Sequence, residues 1–315
     1  MKKRIITGVC VALFWIALLA WAPTWCMFPV LLAATLACVW EYCGMLKRAG
    51  MEASRKFLMV AGVAWLAWCY AFPIYTASEL SWYQHYLNQN DPDAFFDFAI
   101  AGLVSQGTLM LLVAGLFALF LRVLFAPKIK RPLEMLGTTL LGFFYAPFML
   151  GFFIRLAQWG AKDGFEISRE GIFLAAFLAL VVKAGDTGAY AAGMAFGRHK
   201  MFPRISPKKS WEGLIGGLAL SAVASVGFVW FAQNVFPAGH FSTLRQFSLL
   251  EAAVAGVFLC GVGVLGDLVE SQLKRATDIK DSGGMFPGMG GLLDMFDSLI
   301  FAAPAFYFYL LLFHA

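Results

Sequence analysis

Nine stretches of about twenty mostly apolar residues follow one another along the chain, at roughly 5–22, 27–45, 57–75, 98–126, 135–155, 171–197, 213–233, 248–267 and 293–313. A segment of that length and character spans the hydrocarbon of a bilayer as a helix, because a helix satisfies all of its own backbone hydrogen bonds there. Of the 315 residues 61% are apolar and only 14% charged, which is too little polar surface for a water-soluble globule. The expected fold is therefore all-α and polytopic, with about nine transmembrane helices. The fourth stretch is long for one crossing. The sixth carries Lys183, Asp186 and several glycines, which predicts a broken helix. Lys2, Lys3 and Arg4 precede the first stretch with no small-residue cleavage site after it, so a retained first helix is expected.

The basic residues orient the bundle. With the N-terminus in the cytoplasm, nine crossings place 19 Lys and Arg in inside segments and four outside: Arg155, Lys162, Arg169 and Arg245. The loop 76–94 holds no Lys or Arg and falls outside. The net charge of +5 is too mild and dispersed for a nucleic-acid binder. Cys10, Cys26, Cys38, Cys43, Cys69 and Cys260 show no metal-type spacing and read as core residues. The four histidines are scattered, and none lies in a readable nucleophile or zinc motif. Polar, motif-like sequence concentrates in the second half. Residues 1–170 accordingly read as a transmembrane scaffold and 171–315 as the catalytic region.

Ionisable groups inside apolar stretches are functional candidates, since burying them is costly. In KAGDTGAY, Lys183 and Asp186 share a helix face and Tyr190 lies one turn beyond. The segment is either a buried ion pair with small-residue packing or the polar wall of a substrate cavity. The loop at 198–213 gathers Arg198, Lys200, Arg204, Lys208 and Lys209 ahead of a helix start, with Ser206 and Ser210 at turn and cap positions. A basic loop at a helix N-terminus suits phosphate, and it equally suits anionic lipid headgroups. In the third cluster Asp267, Glu270, Ser271, Lys274 and Asp278 fall on one helix face. A glycine-rich stretch follows, and then Asp294 and Asp297. Asp267, Asp294 and Asp297 form an oxygen-donor set suited to Mg²⁺, which takes one or two carboxylates together with substrate phosphates. Lys274, Arg275 and Lys280 supply charge to neutralise those phosphates.

The third cluster resembles the phosphatidate cytidylyltransferases, also called CDP-diacylglycerol synthases. That family's signature reads S-x-x-K-R, four residues, K-D, five residues, then P-G-H-G-G-x-x-D-R-x-D. Ser271, Lys274, Arg275, Lys280, Asp281, Pro287, Gly288, Gly290, Gly291, Asp294 and Asp297 stand at matching positions. GDTGAYAAGMAFGRHKMFP (185–203), ISPKKSWEGLIGG (205–217) and GDLVES (266–271) are also similar to the family. Met289 replaces its His and Met295 its Arg.

The resemblance implies transfer of a cytidylyl group from CTP to phosphatidate at the cytoplasmic face of a cell inner membrane, by a homodimer. Mg²⁺ is implied at Asp267, Asp294 and Asp297, and a second, monovalent cation such as K⁺ stays open. Ser271, Lys274, Arg275, Lys280 and Asp281 take catalytic roles. Lys183, Asp186, Tyr190, Ser206, Lys208, Lys209, Ser210, Gly288, Gly290 and Gly291 line the substrates. Two other readings of the residues stay open: a transporter built on a discontinuous sixth helix, and an inactive paralogue that binds lipid or nucleotide without turnover.

Overall fold

The computed structural model describes residues 24–71, 92–125, 129–161, 167–235, 242–286 and 290–314, with side chains from residue 107 onward in the second of these segments. The expected span at 5–22 and most of the 76–94 loop lie outside the described residues. The last three residues of that loop belong to a helix instead.

The long helices are α1 (Met27–Arg48), α2 (Arg55–Ala71), α3 (Pro92–Leu124), α4 (Pro132–Phe143), α5 (Met149–Ala157), α6 (Arg169–Phe196) and α7 (Trp211–Asn234). The short α8 (Ser242–Gln246), then α9 (Leu249–Ala276) and α10 (Leu292–Phe313), complete the series. A π-helical turn, Phe144–Phe148, joins α4 to α5 and contains Pro147. Seven helical segments among the described residues are long and apolar enough to cross a membrane; α4 and α5 count as one of them, Pro132–Ala157. Helix α2 has 17 residues, a little short of a full crossing at about 1.5 Å per residue. The only strands among the described residues are β1 (Lys200–Phe202) and β2 (Ser206–Ser210), an antiparallel hairpin in the basic loop.

Local chemistry sets the helix starts. Ser168 accepts from Gly171 N at 2.7 Å to open α6, and Ser210 accepts from Gly213 N at 3.1 Å to open α7. Ser248 and Glu251 form a reciprocal capping box at α9. Helix α6 runs unbroken through Lys183 and Asp186, contrary to the break expected there. Its glycines serve packing. A Cβ at Gly188 would lie 2.6 Å from the Gly216 carbonyl oxygen, and one at Gly217 would lie 2.9 Å from the Gly185 carbonyl oxygen. Lipid is as apolar as leucine, so close backbone approach of this kind, not water exclusion, holds two membrane helices together.

Helix α10 packs against α9, α5, α1 and α6. Phe306 on α10 lies 5.4 Å from Phe177 on α6, ring centre to ring centre. Helix α1 is tied to α4 by Tyr42, whose hydroxyl donates to the Thr138 carbonyl at 2.8 Å. In contrast, only 6% of the α3 segment Gly107–Leu124 is buried.

The α6–α7 contact gives a direct test. Gly188→Val forces a side chain into the neighbouring backbone and should cost about 1–3 kcal/mol, read as a lower thermal midpoint in detergent. Gly227→Ala, on the open side of α7, should leave the midpoint unchanged or slightly raised.

Candidate functional site

Charged residues from α6, α9, α10 and the hairpin meet in one cluster. On α9, Asp267 and Glu270 are three residues apart and point to the same side. Asp297, on the second turn of α10, joins them. One carboxylate oxygen from each of Asp267, Glu270 and Asp297 lies within 4.8 Å of the other two. Glu270 is fully buried and Asp297 is 9% exposed.

Three lysines surround this cluster. Lys209, at the end of the hairpin, reaches Asp267 Oδ2 at 2.9 Å and donates to the Val264 carbonyl at 3.3 Å. Lys274 bridges Glu270 Oε2 at 2.6 Å and Asp294 Oδ1 at 2.8 Å. Lys183 pairs with Asp186 at 2.9 Å. Ser298 Oγ donates to Asp297 Oδ1 at 3.0 Å and lies 3.5 Å from Asp186 Oδ1, so the α6 pair touches the α10 carboxylate through one hydroxyl. Ser271 donates to Asp267 Oδ1 at 3.3 Å.

Asp294 does different work from Asp297. It accepts from Gly291 N at 2.7 Å, from Ser282 N at 3.0 Å and from Lys274, and so caps the start of α10. The acidic cluster has Glu270 in the place expected for Asp294. Asp294 reaches it through the shared ammonium of Lys274. Gly290 has φ +96°, a left-handed conformation that favours glycine, and it closes a two-way backbone bridge with Phe286.

The other expected site residues among those described lie on the hairpin, on α6, on α9 and on the segment leading into α10. Arg275 donates to the Ile205 carbonyl at 3.3 Å and ties α9 to the hairpin. Ser206 pairs with Phe202 within the hairpin, and Lys208 is exposed beside it. Ser210 is buried and occupied as the α7 cap. Lys280 and Asp281 are exposed on the α9–α10 loop, and Tyr190 is exposed on α6. Gly291 is buried at the α10 cap. Gly288 and Met289 lie outside the described residues. Met295 packs against the apolar core.

Two buried carboxylates and a phenol at this centre escaped the sequence reading of the site. Glu270 lies on the expected helix face and joins the candidate metal ligands, where the sequence points only to Asp267, Asp294 and Asp297. Glu41, on α1, accepts from the amides of Leu292 and Leu293 at 3.0 and 2.8 Å. Tyr145, in the π-helical turn, is buried, and its hydroxyl has no partner among the described residues. A lone acid inside the 27–45 apolar stretch, and a proline in the middle of a span, were the available signals.

The donor set fits a divalent cation. Three carboxylate oxygens crowd together, and the buried Glu270 Oε1 has no hydrogen-bond partner among the described residues, which is a costly state unless positive charge is brought to it. Lys274 already supplies part of that charge from a nearly buried position, at 14% side-chain exposure. Lys274→Met should therefore lower stability by about 3–5 kcal/mol, the usual result of stripping one partner from a buried ion pair. Glu270→Gln in the same background should recover part of the loss in thermal unfolding.

The chain matches the model of the cytidylyltransferase family over residues 2–313. It is 43% identical over 141 residues to a phosphatidate cytidylyltransferase of Haemophilus influenzae, a stretch covering 44% of this chain and 46% of that protein. To the phosphatidate cytidylyltransferase of Bacillus subtilis it is 33% identical over 201 residues, covering 63% of this chain and 68% of that protein. A Staphylococcus saprophyticus phosphatidate cytidylyltransferase is 40% identical over 140 residues, 44% of this chain and 50% of the relative. The chain thus spans about half the length of two of these relatives and two thirds of the third. The family match takes in the hairpin, the acidic cluster and the helices that carry them, and the chain belongs to the cytidylyltransferase family.

Proposed function

We propose that this protein transfers the cytidylyl group of CTP to a phosphatidate-type lipid, forming CDP-diacylglycerol and releasing pyrophosphate. The observation that carries the reading is the convergence of Asp267, Glu270 and Asp297, with one buried oxygen unpartnered among the described residues, in a chain of the cytidylyltransferase family. Asp267, Glu270 and Asp297 are the residues that would hold Mg²⁺, with Asp294 linked to them through Lys274. A bound divalent cation supplies charge neutralisation for two polyanions that otherwise repel each other.

The lipid phosphate is ionised near neutral pH, so no strong base is needed. One of its oxygens forms a bond to the α-phosphorus of the nucleotide, the bond from that phosphorus to the bridging oxygen breaks, and the electron pair leaves with pyrophosphate. The work of the protein is to position and to neutralise. Lys209 and Lys274 are already aimed at carboxylates beside the reaction centre and exchange part of that contact for phosphate oxygens. Lys208, Lys280 and Arg275 are exposed on the same side and steer the triphosphate inward. The Lys183–Asp186 pair lies where α6 faces α10 and lines the approach of the lipid headgroup.

The excess of basic residues in alternate loops supports a cytoplasmic position for this face in a bacterial inner membrane, where CTP is available. We also place the substrate-handling residues in 171–315 and give the preceding helices the task of supporting them. A homodimer accords with the family resemblance.

Purified protein in lipid–detergent micelles, given CTP, phosphatidate and Mg²⁺, should release pyrophosphate, and chelation of the cation should stop it. Asp267→Ala and Asp297→Asn should each reduce turnover at least about 100-fold while the thermal midpoint stays close to that of the parent. Near-normal turnover in either variant would overturn the assignment. A panel of nucleotides against lipid phosphates, scored for pyrophosphate, tests the substrate pair.

A further inference from the structure

Glu41 lies about 250 positions before the residues it touches. Its carboxylate is buried, at 7% residue exposure, in the last third of α1, two turns before the basic end at Lys47 and Arg48. Oε1 accepts from Leu292 N at 3.0 Å, and Oε2 accepts from Leu293 N at 2.8 Å. Ser282 Oγ lies 3.1 Å from Glu41 Oε2 and 2.9 Å from Asp294 Oδ2, so its single proton serves one carboxylate or the other. The first amides of a helix have no partner within it and carry its positive end, so a carboxylate there is doubly favoured. The division is complete: Asp294 takes the amide of Gly291, and Glu41 takes the next two.

The same carboxylate accounts for two glycines. A Cβ on Gly283 would run into Glu41 Oε1, and a Cβ on Gly291 would run into Glu41 Oε2. The small residues on either side of the α9–α10 loop leave room for a side chain from another helix.

We infer that Glu41 is a positioning residue for the acidic cluster: it locks the first turn of α10 against α1 and so fixes where Asp297 points. The link is short. In an α-helix the carbonyl of Leu293 accepts from the amide of Asp297, so holding Leu293 sets the height and rotation of the turn that presents Asp297 to Asp267 and Glu270. The outer partners of metal-ligating side chains typically contribute 10–100-fold to metal affinity. The inference deepens the reading given under Proposed function and rests on it for its cation readout alone.

The test compares the full chain in detergent with its Glu41→Ala and Glu41→Gln variants in two measurements. Hydrogen exchange of the 282–296 segment should rise in Glu41→Ala while that of 211–235 stays unchanged. Mn²⁺ affinity, read by electron paramagnetic resonance, should fall by about tenfold, the lower end of that range because Glu41 reaches Asp297 through the helix backbone, and the KM for Mg²⁺ should rise ahead of any change in kcat. Glu41→Gln keeps one acceptor oxygen and should fall between. Unchanged exchange would overturn the clamp. Raised exchange with unchanged Mn²⁺ affinity would overturn the positioning role and leave a structural one.

If Glu41→Ala does not fold, Ser282→Ala removes one bond of the same clamp and should move both readouts the same way by a smaller factor; no movement in either would overturn the inference. Gly291→Ala adds a metal-independent check. Its destabilisation should be partly relieved by Glu41→Ala, and strict additivity of the two would count against the contact. A parent chain that bound no Mn²⁺ would sink the proposed cation, while the clamp would still stand or fall on exchange and on that double-mutant cycle.

Discussion

Carboxylates crowded into an apolar bundle are the constraint on which the rest of this structure depends. Asp267, Glu270 and Asp297 stand within 4.8 Å of one another, among helices that offer few polar neighbours. Like charges that close are tolerated only where cations and hydrogen-bond donors are fixed around them. The molecule supplies these from four directions: Lys209 from the hairpin, Lys274 from the same face of α9, the Lys183–Asp186 pair from α6 and Ser298 from α10. Each donor sits on a different element, so the local arrangement dictates how α6, α9, α10 and the hairpin must meet.

Much of this was readable from the sequence, because the motif from Ser271 to Asp297 is contiguous and its spacing translates directly into helix faces. The pairing of Lys183 with Asp186 follows from their separation of three on one helix. The serine starts of α6, α7 and α9 follow from short-range capping rules. What failed was local reasoning applied to residues whose meaning is not local. The glycines of α6 look like helix breakers in isolation, yet they exist because α7 presses its backbone against them. Asp294 and Asp297 look equivalent three apart, but the chain turns between Ser282 and Gly291 so that Asp294 closes the helix end and Asp297 faces the cluster. Glu41 gives no periodic signal at all, since its partners are set by tertiary packing.

The two halves of the chain are less separate than their composition implies. Polar motifs crowd into the second half, and the first half reads as lipid-facing scaffold. Yet α1 and α5 both pack on α10, and Tyr145 brings a buried phenol from the π-helical turn of the first half. Single π-turns inside α-helices are rare and recur at functional sites. Here Pro147 lies within that turn, and Gly62 of α2 gives it space.

The Glu41 contact also has a meaning for biogenesis. During synthesis α1 emerges and enters the bilayer long before the amides of Leu292 and Leu293 exist. At about 5–20 residues per second the intervening chain takes on the order of tens of seconds to make. Throughout that interval the carboxylate in the last third of α1 is without its final partners. Entry of the last helix therefore relieves a polar debt incurred near the beginning of translation, which gives the bundle a thermodynamic reason to close on its final helix.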